Sequence, residues 1–182
     1  MGAKHLGVGI GIAASLATGA GAGAGWAAET RIMVRARTKD AKFLGTSMGG
    51  ALVVIRRADS GAVLAEGITS GGTGDTKRIM TDPHVRGARL TDPTTAGFEA
   101  KFELAEPTFV TVEVSGPMGH PQSVAKATVQ TWLIPGRHVT GDGLVVELPG
   151  FSVSVAAPRR QEEVALAGGK ARVPIAASVV MM

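Results

Sequence analysis

Apolar residues in this chain recur at every second position, in short runs cut apart by Gly, Pro and Asp. Ile32, Val34 and Ala36 alternate with Arg31, Met33, Arg35 and Arg37. Phe98, Ala100, Phe102 and Leu104 alternate with Glu99, Lys101 and Glu103, and Val110, Val112 and Val114 with Thr111, Glu113 and Ser115. Residues 125–133 and 144–148 continue the pattern, and Phe151, Val153 and Val155 follow it. Successive side chains on an extended chain point to opposite faces, so each run reads as a strand with one face on a core and one in water. Residues 51–55 are apolar at both parities, which suits a central strand. Asp59-Ser60-Gly61 separates 51–57 from 62–66 in the layout of a hairpin. Residues 69–75 are Gly-rich, and 81–96 carry two Asp-Pro steps without a period, so both read as connections. Short strands with turns between them mean an antiparallel sandwich or barrel, and roughly nine strands fit between Glu29 and Ala157. The sequence therefore predicts an all-β, antiparallel β-sandwich.

The two ends differ from this middle. Lys4 is followed by an uncharged stretch from Leu6 to Ala28, rich in Gly and Ala, with small residues Gly25 and Ala27 before Glu29. That is the layout of a secretory signal peptide, predicted over residues 1–27. A retained transmembrane anchor is the alternative, and the Gly-rich stretch 19–25 suits it poorly. The sandwich is predicted over 28–157. Residues 158–182 then form a polar linker, followed by strands at 164–166 and 171–180. Those strands either complete the sandwich or begin a second, truncated domain. Location follows from the leader: periplasmic or secreted, with membrane contact only through an uncleaved leader. Cys is absent, which removes disulfide scaffolds, Cys-ligated zinc, iron–sulfur clusters and thiol catalysis. A formal net charge of +4 is spread among acids, with no basic run longer than two, so no nucleic-acid stripe is present.

Residues Gly50-Ala51-Leu52-Val53-Val54-Ile55, then Asp59-Ser60-Gly61, then Val63-Leu64-Ala65-Glu66-Gly67-Ile68-Thr69 form a pattern. A small-residue entry, a valine-rich strand, a Gly turn and a strand leading to Thr and a Gly-rich loop follow in order. This stretch resembles the prealbumin-like modules of the carboxypeptidase-regulatory type. The resemblance implies an exported, non-catalytic sandwich with a binding or structural role, and carries over no functional residue. An immunoglobulin-like sandwich is the other form considered. Trp132 is present for it, but the Cys pair of true immunoglobulin domains is not.

Several residue sets carry candidate chemistry. Gly45-Thr46-Ser47-Met48-Gly49 matches the nucleophile-elbow spacing of serine hydrolases, but a strand follows it where that motif needs a helix. A Gly-rich connector explains it without catalysis. Met118 and His120 share one loop, and thioether and imidazole suit copper, with Met48 or Met80 as further donors. His138 lies in another loop, expected at the opposite end of the shared strand. Asp75 and Asp142 sit in Gly-rich loops, one carboxylate each, where turn chemistry explains them better than calcium. Glu99 and Glu103 flank Lys101 on one strand face, an arrangement expected of a solvated surface rather than of paired acid–base carboxylates. Trp132 and Phe109 fall on the polar parity of their strands. They mark a partner or ligand surface, unless a loop or the C-terminal strands cover them. The expectation is an exported, non-catalytic binding or structural module whose partner is an envelope or extracellular protein or a ligand held by loops. An exported copper-binding protein is the alternative.

Overall fold

The computed structural model describes residues 26–182. The leader reading, apart from Trp26 and Ala27, falls outside them. Nine strands follow one another: β1 (Ala28–Thr38), β2 (Leu52–Arg57), β3 (Val63–Ile68), β4 (Phe98–Leu104), β5 (Thr108–Gly116), β6 (Ala125–Leu133), β7 (Val139–Leu148), β8 (Phe151–Ala157) and β9 (Ala176–Met181). One short helix, α1 (Thr76–Met80), lies between β3 and β4. Seven strands form two facing sheets, ordered β4-β1-β7 and β3-β2-β5-β6.

The alternation sets this arrangement. Ile32, Val34 and Ala36 of β1 and Val146 and Leu148 of β7 meet Val53 and Ile55 of β2 and Val110, Val112 and Val114 of β5. Ten side chains from four strands thus leave water together. Complete burial of one Val or Leu contributes about 1.5–3 kcal/mol, so this double layer is the main stabilising element. β2 sits between β3 and β5, as its two-sided apolar sequence requires. The β2–β3 hairpin turns at Asp59-Ser60-Gly61, where the Gly61 amide donates to the Arg57 carbonyl.

Three features depart from the sequence expectation. The three-stranded sheet is mixed, because β1 runs parallel to β7 in register Val34↔Leu144 to Thr38↔Leu148, while the four-stranded sheet is antiparallel throughout. Alternation is blind to strand direction: it requires only that both inner faces be apolar. β8 does not join the sandwich but pairs with β9 in a separate two-stranded sheet. There Phe151, Val153 and Val155 are exposed while Ser152 is buried, the reverse of the predicted faces. The outer edge of β8 is held by side chains instead of a strand. Val153 N donates to Ser123 Oγ at 2.8 Å, and Val155 N donates to Gln122 Oε1 at 2.9 Å. Residues 164–175 contain no strand, and the C-terminal strand is β9 alone. Beyond it Met182 enters the sandwich core, its amide donating to Gly150 O at 3.0 Å and its carbonyl accepting from Thr38 Oγ1 at 2.8 Å.

The long connection 81–97 folds over the outer face of the β4-β1-β7 sheet. Arg35 lies on that face and is only 5% exposed. Its guanidinium donates to the carbonyls of Thr95 and Ala96, the latter at 2.8 Å. Asp142 on β7 accepts from Leu90 N, Thr91 N and Thr91 Oγ1 at 3.1, 3.0 and 2.6 Å. One cation and one anion from neighbouring strands thus hold the two halves of the connection.

Candidate functional site

The β5–β6 pairing places Phe109 directly opposite Trp132. Both lie on the outer face of the four-stranded sheet, because Val110 and Leu133, one residue along each strand, are buried. The rings stack tilted, 4.9 Å between centroids and 36° between planes. Such pairs contribute about 0.5–1.5 kcal/mol beyond area burial. Trp132 is nevertheless 57% exposed, and among the described residues no loop or C-terminal strand covers it.

The pair forms one wall of an open depression of about 380 Å³, completed by Arg57, Asp59, Pro107 and Gln130. The strand end makes this possible: Ala58 N donates to Phe109 O at 2.9 Å, bringing the β2–β3 turn beside the aromatic rings. Arg57 holds Asp59 with two parallel bonds, Nε to Oδ1 at 3.1 Å and Nη2 to Oδ2 at 3.0 Å. Hydrogen bonds from Arg57 and then Ser60 pull the Asp59 carboxyl down to about 2, and Asp59 in turn raises Arg57. The pair stays charged through the physiological range. Gln130 donates to Thr111 Oγ1 at 3.1 Å, fixing its amide beside the indole. The result is an aromatic platform with a fixed polar rim, an arrangement suited to receiving an apolar side chain between hydrogen-bonding groups. Gln130 was legible as the same-face neighbour of Trp132. Arg57 and Asp59 were not, since they reach the site through strand pairing.

No family model, curated protein or solved structure matches this chain. The residues alone therefore carry the functional reading.

The other sequence candidates are dispersed. Ser47 is exposed in a single 3-10 turn, Thr46–Met48, ended by left-handed Gly49 and followed by β2. Its hydroxyl makes no side-chain hydrogen bond among the described residues. Met118 and His120 lie in the β5–β6 connection, and Met118 is 38% exposed. Gly119 N donates to Met48 O at 2.9 Å and Met118 N to Gly50 O at 3.0 Å, so this loop is tied to the 3-10 turn. His138 is elsewhere, its Nδ1 accepting from Arg31 N at 3.1 Å. No group of three or more His, Asp or Glu side chains capable of holding a metal occurs among the described residues. Asp75 caps α1, accepting from Arg78 N at 2.8 Å, and Asp142 is engaged as described above. Asp75 thus does the capping chemistry expected of it, whereas Asp142 lies within β7 rather than in a loop and makes long-range bonds to the 81–97 connection instead of turning its own chain.

Proposed function

We propose that this chain is an exported, non-catalytic β-sandwich module of the prealbumin-like type, and that the Trp132–Phe109 platform binds another envelope or extracellular protein. The observation that carries the reading is a Trp left 57% exposed on an open sheet face, beside a fixed Arg–Asp pair. Buried Trp and Arg anchors dominate protein interfaces, and a rim of paired charges excludes water around them. The leader composition supports export. Strand order supports the prealbumin-like form over the immunoglobulin-like one. In antibody constant domains β1 and β2 share a sheet, whereas here β1 lies between β4 and β7 and β2 is in the facing sheet.

A photo-crosslinking amino acid at Gln130, in the chain expressed in its own host, tests this reading. It is expected to yield one discrete protein adduct, and Trp132→Ala is expected to abolish it. Loss of a central Trp anchor costs a complex about 2–4 kcal/mol. The isolated variant should lose only about 1 kcal/mol in urea unfolding, since Trp132 is mostly exposed and gives up little besides its Phe109 contact. Unchanged adduct formation in Trp132→Ala would overturn the assignment, and wholesale unfolding would make Trp132 a core residue.

A further inference from the structure

Four of the seven methionines in the chain line one cavity of about 430 Å³. Met48 comes from the 3-10 turn, Met80 from the end of α1, and Met181 and Met182 from the end of β9 and the residue after it. These segments are far apart in sequence, so the fold assembles the cluster. Gap-filling in the core accounts for Met182, which is buried there, and for Met48, which packs against it, but not for Met80 or Met181. Only Met182 is buried, Met48 is half-buried, and Met80 and Met181 are 43% and 58% exposed. The exposed positions 80 and 181 place no demand on an apolar, polarisable side chain, yet both methionines there meet the two core-packed ones at this cavity.

We infer that this cavity is a binding site for monovalent copper, ligated by the thioether sulfurs of Met48, Met80, Met181 and Met182. Thioethers are soft, neutral donors, and soft donors select Cu(I). The rest of the wall selects against other ions. It carries no carboxylate or imidazole side chain, so calcium, magnesium and zinc lack the side-chain ligands they favour. Its one charged side chain is Lys42, whose ammonium donates to Thr76 Oγ1 at 3.1 Å. A like charge repels a divalent ion about twice as strongly as a monovalent one at the same separation. Methionine has three rotatable bonds, so thioethers carried on three segments can adjust toward one ion. Met118 and His120 are not in this wall, although their loop is bonded to Met48.

The donor set predicts a pH signature. Thioethers do not titrate, so affinity should stay flat from pH 8 to pH 5, whereas an imidazole ligand would lose the ion as it protonates near 6.5. The test is competition for Cu(I) between the full chain and a chromophoric Cu(I) chelator, under anaerobic reducing conditions. One Cu(I) per chain is expected. Met48→Leu and Met80→Leu, which keep volume and remove sulfur, should each weaken binding about tenfold. Met33→Leu, on the outer face of β1, and Trp132→Ala should leave it unchanged. X-ray absorption of the loaded wild-type chain should show an all-sulfur first shell, a readout that does not depend on any variant folding. Failure to compete with the chelator, equal affinity in the Leu variants, or nitrogen in the first shell with loss below pH 6.5 would each overturn the site.

Discussion

Asp142→Ala is expected to destabilise the sandwich by about 2–4 kcal/mol and to release the connection 81–97 from its sheet. The carboxylate takes three hydrogen bonds, from Leu90 N, Thr91 N and Thr91 Oγ1. Thr91 is 6% exposed, so its donors have little water to turn to. Each buried donor left unmade costs about 1–3 kcal/mol. Arg35 also loses the stronger of the two negative charges acting on it. Burial already lowers the Arg35 pKa, and the charges of Asp142 and Asp92 oppose that shift. Burial raises the Asp142 carboxyl, but the Thr91 hydroxyl, the Leu90 and Thr91 amides and the Arg35 charge outweigh it, leaving the group below its ordinary value of 3.8.

A depressed folded pKa fixes the sign of the pH dependence. The carboxylate's stabilisation is fully present above the unfolded-state value and is lost as pH falls through the lower folded-state value. The gap in unfolding free energy between wild type and Asp142→Asn should therefore be widest above about pH 5 and close progressively below about pH 4. Urea unfolding at several pH values measures the gap, and limited proteolysis of Asp142→Ala should cut first within 81–97. A gap that persists unchanged in acid, or an Asp142→Ala chain within about 0.5 kcal/mol of wild type, would show that the carboxylate does not hold the loop.

Period two fixes which side chain faces the core, and nearly all of the sandwich was legible from it. Val112 and Val114 are inward, Trp132 and Phe109 outward, as parity requires. Period two carries no information about strand direction or about which face a strand uses once it leaves the sandwich. That is why the parallel β1–β7 pair and the reversed faces of β8 escaped it. Arg35 is the instructive case. It sits on the solvent parity of β1, yet a loop some sixty residues later covers it, a long-range event that no local pattern encodes. The same limit applies to both sites. Trp132 announced itself by breaking parity, whereas Arg57 and Asp59 join it through strand pairing. Met48 and Met80 could be suspected as soft donors, but only tertiary structure brings them to Met181 and Met182.

Gly49→Ala is expected to cost about 3–4 kcal/mol, a large effect for adding one methyl group. Gly49 has φ +81°, where a Cβ alone costs about 1–2 kcal/mol. It also faces backbone: a Cβ there would fall onto the Gly119 nitrogen and lie 2.8 Å from Gly119 Cα. Backbone cannot rotate aside as a side-chain tip can, so residues 116–120 must retreat from residues 48–50. That movement breaks the bonds Gly119 N to Met48 O and Met118 N to Gly50 O, at about 1 kcal/mol each. Gly61 supplies the internal control. Its φ is +71°, but a Cβ there would meet nothing within 4 Å, so Gly61→Ala keeps the conformational cost and omits the collision. Urea unfolding should place Gly49→Ala about 2 kcal/mol below Gly61→Ala. Equal losses at the two positions would mean that left-handed strain alone acts at Gly49. In that case the close approach of the two backbones does not contribute to stability.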